Sequence, residues 1–154
     1  MRREIGLSER EWTEIRAIFT PLPTSALQER AAIARAVGQL ETMAGAKTGT
    51  DKDIGGSSPG MFMQDQLDCV DEMLNTGAYL TMMKNAGLIS FHDLLEPAQR
   101  GNFFNGWPHV AVPIVERATG MMYVVDSWYY DNGVPPVIIP YGDWMKGWRP
   151  GKSP

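Results

Sequence analysis

Apolar positions in the first quarter of the chain recur at helical intervals. Trp12, Ile15, Ile18 and Phe19 form one stripe, and Ile33, Val37, Leu40 and Ala44 form another. Each stripe follows a Ser-x-x-Glu/Gln box, Ser8 with Glu11 and Ser25 with Gln28, whose side chains can satisfy unpaired first-turn amides. Pro21 and Pro23 stop the first run, so the pattern predicts two helices over residues 8–44. A third helical run, Leu67 to Ala86, carries Val70, Met73, Leu74, Leu80 and Met83. Asp68 reads as its N-cap, Asp71 and Glu72 as acids suited to its first turn, and Gly87 as its terminating glycine. Between the second and third helices, residues 45–60 hold five glycines among Thr, Ser, Asp and Pro, which predicts a mobile Gly-rich loop.

After residue 106 the pattern becomes strand-like. His109–Val115 and Met121–Val125 flank Glu116–Gly120, a hairpin signal. Val134–Ile139 is a third strand, and Pro135 and Pro136 push it to a sheet edge. If Arg117 and Gly120 close a two-residue turn, His109 faces Trp128 and Asp126 is its diagonal neighbour on the same face. A one-residue slip would send the two side chains to opposite faces. Helices first and strands after argue for an α+β domain, with N-terminal helices packed on a small antiparallel sheet.

The length of 154 residues fits a single domain, 1–154, with a helical part over 8–44, the loop, and a core over 64–149. Apolar residues make up 44% and charged residues 21%, a balance that excludes wholesale disorder. The net charge is −4 and no Lys/Arg cluster stands out, so no nucleic-acid partner is expected. No apolar run approaches the roughly 18 residues that span a bilayer. Met1-Arg2-Arg3-Glu4 leads into no apolar stretch, so no signal peptide is expected in this chain.

One cysteine, Cys69, rules out an internal disulfide and a zinc site built from several thiolates. Two histidines without a His-x-x-x-His spacing, and the bare His92-Asp93 pair, give no metal site. Gly45-Ala46-Lys47-Thr48 lacks the upstream glycine and strand of a phosphate loop, and Asp51 with Asp53 supplies only a fragment of a calcium loop. No cofactor is implied.

Cys69 itself is a packed thiol or a reactive one. On the predicted helix it falls at the first turn, where unpaired amides and the helix dipole lower a thiol pKa, while Asp68 and Asp71 oppose a second negative charge. His109 on the first hairpin strand is the suitable base, and Asp126 on the second can accept from one ring nitrogen and aim the other at the thiol. Asp126 ends the apolar run Met121–Val125, so its carboxylate is expected to be partly buried, and buried carboxylates need a partner. Singly these are an ordinary core thiol, a strand-end histidine and a turn-capping aspartate. In this order they form a nucleophile, base and orienting acid.

That order, carried by Asp68-Cys69-Val70-Asp71-Glu72, His109-Val-Ala-Val and Tyr123-Val-Val-Asp126-Ser127-Trp128, resembles the transglutaminase-like cysteine hydrolases, in particular their small bacterial cysteine peptidase branch. The likeness covers roughly residues 64–128. It implies a transglutaminase/papain-like core with the cysteine at a helix N-terminus, Cys69 as nucleophile, His109 as base and Asp126 orienting His109. It also implies a peptide or protein substrate attacked at an amide bond, and loosely an exported or periplasmic location. The family usually has small residues around the cysteine, where this chain has Asp68, Glu72 and Met73. An oxyanion needs donors; the Cys69 amide is one candidate, and Gln64, ahead of Gln66, the other. Trp107 and Trp128 are candidate walls of a substrate groove, although tryptophans in this aromatic-rich third also suit plain core packing. The expected function is thiol-dependent hydrolysis or transfer at an amide bond through an acyl-enzyme. The alternative is a non-enzymatic binding or adaptor domain, motivated by the acidic residues around Cys69.

Overall fold

The first helix, α1 (Glu9–Ile18), starts where the sequence places it. The Ser8 hydroxyl accepts from the Glu11 N–H and the Glu11 carboxylate accepts from the Ser8 N–H, a complete capping box. The structure is a computed structural model that describes residues 6–48, 62–102, 106–129 and 133–151; within these, the side chains at 48, 62–72, 102 and 106–108 lie outside the description.

The second helix, α2 (Ala26–Thr48), buries Ile33, Val37, Leu40 and Ala44, as their spacing predicts, together with Ile15 and Phe19 of α1. Its box forms in part. Ser25 accepts from the Gln28 N–H, but the Gln28 carbonyl turns to the Thr24 N–H and hydroxyl. The helix also runs through Gly45–Thr48, the first residues of the predicted loop. Ala44, Ala46 and Lys47 favour helix, and the Lys47 ammonium in the last turn bonds Glu11 at 2.7 Å. The rest of the predicted loop, 49–60, lies outside the described residues.

The third helix, α3 (Phe62–Asn85), ends as predicted. Gly87 has φ +76°, its N–H donates to Lys84 O, and the Leu88 N–H donates to Met83 O, which together make a Schellman cap. Its start differs. The helix begins at Phe62, ahead of the predicted Leu67, so Asp68 is not an N-cap and Cys69 is not at a helix N-terminus. Met63, Gln64, Gln66 and Leu67 all favour helix and nothing between them breaks it, so the mildly unfavourable Asp68 is carried inside.

Among the described residues five antiparallel strands follow: β1 (His92–Leu94), β2 (Ala98–Asn102), β3 (Gly106–Glu116), β4 (Met122–Asp126) and β5 (Val137–Pro140). β1 and β2 pair with successive stretches of β3 and make one interrupted edge. β5 forms the other edge, entered through Pro135 and Pro136, as the prolines predict, and it starts later than the predicted Val134. The alternation of β3 and β4 sorts two clusters. Val112, Ile114 and Val125 pack with the core of α1, α2 and α3. Ala111, Val124 and Ile139 pack on the opposite face with Trp144 of a short last helix, α4 (Tyr141–Met145). The fold is therefore α+β, as expected.

One close approach fixes how α2 meets the segment before β5. A Cβ on Gly38 would stand 3.0 Å from both Gly133 O and Pro135 N. A Cβ on Gly133, where φ is +84°, would stand 2.3 Å from the Thr42 hydroxyl. Glycine therefore suits both positions, since an added Cβ would press on backbone at 38 and would be strained by the positive φ at 133.

Candidate functional site

β3 and β4 pair Val112 with Val125, Pro113 with Val124, Ile114 with Tyr123 and Val115 with Met122. Continued, that register sets His109 opposite Trp128, as the hairpin spacing predicts. The turn itself is longer than the predicted two residues. Glu116 donates to Met121 O at 2.8 Å and closes a loop over 117–120, in which Gly120 (φ +72°) donates back to Glu116 O at 2.8 Å. The loop keeps the same pairing, so the faces are unchanged.

His109 and Asp126 meet. Nε2 of His109 lies 2.7 Å from Asp126 Oδ2, and both residues are buried. The same oxygen accepts from Trp144 Nε1 at 2.8 Å, while Oδ1 accepts from the Trp128 N–H at 3.3 Å. His109, Trp144 and Trp128 can each donate to this buried carboxylate. A carboxylate oxygen accepts, so the pairing assigns the proton between them to His109 Nε2 and makes Nδ1 the second ring nitrogen. The imidazole is boxed by aromatic rings, with Trp128 at 5.2 Å, Tyr129 at 5.4 Å and Trp144 at 6.0 Å between centroids.

Arg100 completes the corner. It is paired with His109 across β2 and β3 and is itself buried. Its Nη1 donates to Trp144 O at 2.5 Å and its Nη2 to the Tyr129 hydroxyl, and the guanidinium lies 4.9 Å from the Trp144 ring centre. Burial pushes the Tyr129 phenol above its ordinary 10.0; Asp126 acts in the same direction, and Arg100 opposes both.

His109 and Asp126 lie on the α4 face, sharing alternation with Ala111 and Val124. β4 ends at Asp126, so β3 projects past it around His109. There a small cleft opens between α3 and the sheet. It is lined by Met73 and Thr76 of α3, by Val110 and Ala111, and by Val125–Trp128. Thr76 and Ser127 share a buried hydroxyl–hydroxyl bond of 3.1 Å at its floor.

Of the residues singled out in the sequence, the structure brings His109, Asp126 and Trp128 together. The side chains of Cys69, Gln64 and Trp107 lie outside the described residues. The backbone of Cys69 is described, and it stands about two turns inside α3. An interior helical N–H bonds to the carbonyl four residues back, and the dipole acts only within the first turn. The Cys69 amide therefore does not offer the predicted oxyanion donor, nor does the helix terminus activate the thiol. Gln64 and Gln66 belong to α3 rather than to a segment ahead of it.

Sequence reasoning missed Arg100, Tyr129 and the Trp144 bond. Trp144 gave a signal as part of the aromatic surplus; Arg100 gave none. It also missed a second histidine–carboxylate pair. His92 lies in β1 and is fully buried, with Nδ1 2.9 Å from Glu29 Oε1 and Nε2 3.2 Å from Arg30 Nη1. Glu29 also accepts the Ser90 and Phe91 N–H groups, and Arg30 bridges to Glu116 at 2.7 Å. Among the described residues no group of three or more His, Cys, Asp or Glu side chains is placed to hold a metal ion, and no helix is long and apolar enough to cross a membrane. Compared with family models, curated proteins and solved structures, the chain matches none.

Proposed function

We propose that the chain is a thiol-dependent hydrolase or acyltransferase of the transglutaminase-like kind, acting on an amide bond of a peptide or protein. The buried His109–Asp126 pair carries this reading, since it fixes the tautomer in which Nδ1 is the basic nitrogen. Cys69 lies one helical turn before Met73, and Met73 shares its cleft with Asp126 and Trp128. In the proposed cycle Nδ1 takes the thiol proton as Sγ attacks the carbonyl carbon. The C–N bond then breaks while Nδ1–H returns the proton to the leaving amine. Water or an amine attacks the thioester carbon and gives its proton to Nδ1; the C–S bond then breaks and Nδ1–H returns the proton to Sγ. Gln64 is the proposed oxyanion donor and Trp128 a wall of the groove, with Trp107 proposed as the other.

The test is carboxamidomethylation of the single thiol by iodoacetamide across pH, followed by mass spectrometry. Alkylation with a midpoint near or below neutrality, displaced in His109→Ala, supports the enzyme. A thiol that reacts only on unfolding sinks it.

One observation favours a second reading. α3 begins at Phe62, so Cys69 lacks the helix terminus that would lower its pKa. On that reading the chain is a non-enzymatic binding domain, and the His109–Asp126–Trp144 cluster ties the sheet to α4. The same alkylation series separates the two.

A further inference from the structure

We infer that Trp144 is a positioning residue for the His109–Asp126 pair, held in place by Arg100. The inference rests on His109 being the base.

Two short bonds converge on one oxygen, since Asp126 Oδ2 takes both His109 Nε2 (2.7 Å) and Trp144 Nε1 (2.8 Å). Oδ1 has only the longer Trp128 N–H contact at 3.3 Å. The carboxylate is therefore fixed chiefly through Oδ2, and among the described residues the indole N–H is the one partner besides His109 at short range there. A carboxylate that turned about its Cβ–Cγ bond would offer His109 a different oxygen and direction. The indole N–H, donating in the ring plane, opposes that rotation.

Trp144 is positioned in turn. It is fully buried, packed with Ala111, Val124 and Ile139. Its helix α4 has five residues, too short to hold a geometry alone. Arg100 supplies the tie, as a buried cation whose Nη1 donates to Trp144 O while its guanidinium lies over the indole. Arg100 is the cross-strand partner of His109 on β2. The chain Arg100, Trp144, Asp126, His109 thus closes on adjacent strands, and a shift of α4 would be felt at the imidazole.

The experiment replaces Trp144 with phenylalanine and, keeping ring volume, with 3-benzothienylalanine, which substitutes sulfur for the N–H. Trp148→Phe is the aromatic control, because Trp148 packs in the same cluster without touching Asp126. Two readouts are taken on folded protein: the tautomer and titration of His109 by long-range ¹H–¹⁵N correlation, and the pH profile of Cys69 alkylation. We expect both Trp144 variants to lower the Nε2–H tautomer ratio about tenfold, as a carboxylate free to turn gives up much of its charge-assisted bond to Nε2–H. They should move the alkylation profile toward that of His109→Ala, and Trp148→Phe should leave both unchanged. Wild-type tautomer ratio and titration in the benzothienyl variant overturn the inference, even where the phenylalanine variant fails to fold. If wild-type alkylation ignores His109→Ala, the enzyme reading fails. The tautomer ratio then still decides whether Trp144 orients the pair.

Discussion

Glu29→Gln isolates the buried pair that has no proposed chemistry. Oε1 of Glu29 accepts from Phe91 N–H at 2.9 Å and lies 2.9 Å from His92 Nδ1, while Oε2 accepts from Ser90 N–H at 2.8 Å. Both oxygens face donors, so a glutamine amide group meets an N–H in either orientation. His92 cannot relieve this by changing tautomer. With Nδ1 as acceptor, Nε2 would carry the proton and face Arg30 Nη1, which only donates. The variant thus loses the charge, loses at least one charge-assisted bond, and sets a donor against a donor where no water reaches. Removing one partner of a buried pair costs about 3–5 kcal/mol, which is a large share of the ~5–15 kcal/mol that holds a domain folded. For a domain of this size that corresponds to a fall in Tm of roughly 10 °C. Urea denaturation at pH 7, followed by tryptophan fluorescence and far-UV circular dichroism, measures it. Burial pushes the Glu29 carboxyl up, but the bonds from His92, Ser90 and Phe91 outweigh it and hold the pKa below the usual 4.5. A depressed folded pKa contributes stability that is present above the unfolded value and lost as pH falls through the folded one. The gap between wild type and variant should therefore be full at pH 7 and shrink below pH 4.5. A loss under about 1 kcal/mol at pH 7, or a gap that widens in acid, would refute the reasoning.

Asp126 should tolerate amidation better than Glu29. Asparagine can keep its oxygen at the Oδ2 position for His109 and Trp144, losing the charge and turning its NH2 to the Trp128 N–H 3.3 Å away, so Asp126→Asn should cost about 1–2 kcal/mol by urea denaturation. Asp126→Ala strips two buried donors of their acceptor and should cost about 2–5 kcal/mol. Gly38→Ala gains about 1 kcal/mol of helix propensity but drives a methyl against Gly133 O and Pro135 N. Backbone cannot yield as a side chain does, so a net loss of about 1–2 kcal/mol is expected from the same assay. The two histidines should show opposite neutral tautomers in long-range ¹H–¹⁵N spectra, Nδ1–H at His92 and Nε2–H at His109, and matching tautomers would contradict both hydrogen-bond assignments.

What could be read ahead of the structure divides along physical lines. The hairpin register was legible because Val112, Ile114, Tyr123 and Val125 share one buried face, and any slip exposes all of them. The helix caps at Ser8 and Gly87 were legible because capping is a local interaction of side chain and backbone. β1 and β2 were not, since His92-Asp-Leu and Ala98-Gln-Arg-Gly-Asn lack β-branched residues and alternation. They are strands because β3 offers its edge, a tertiary effect that overrides propensity. The start of α3 was misplaced because Asp68 suits a cap, and nothing local shows that the turn before it is already helical. Glu29 reads in sequence as one more acid in the first turn of a helix. Its burial is settled by Ser90, Phe91 and His92, far along the chain.

The two histidine–carboxylate pairs separate structure from chemistry within one molecule. His92 has Nδ1 committed to Glu29 and Nε2 to Arg30, and neither side chain of the pair has any exposed surface. Proton transfer there would have to break the bonds that join α2 to the sheet, and no substrate can approach. His109 has Nε2 committed to Asp126, which sets Nδ1 as its basic nitrogen, and it lies where β3 outruns the end of β4 beside the cleft against α3. The two pairs thus differ in their surroundings: Glu29 and His92 have no exposed surface, whereas Asp126 lines a cleft that Met73 of α3 also lines. That placement, more than the presence of a histidine beside an acid, is why the functional proposal rests on β3 and β4 rather than on β1.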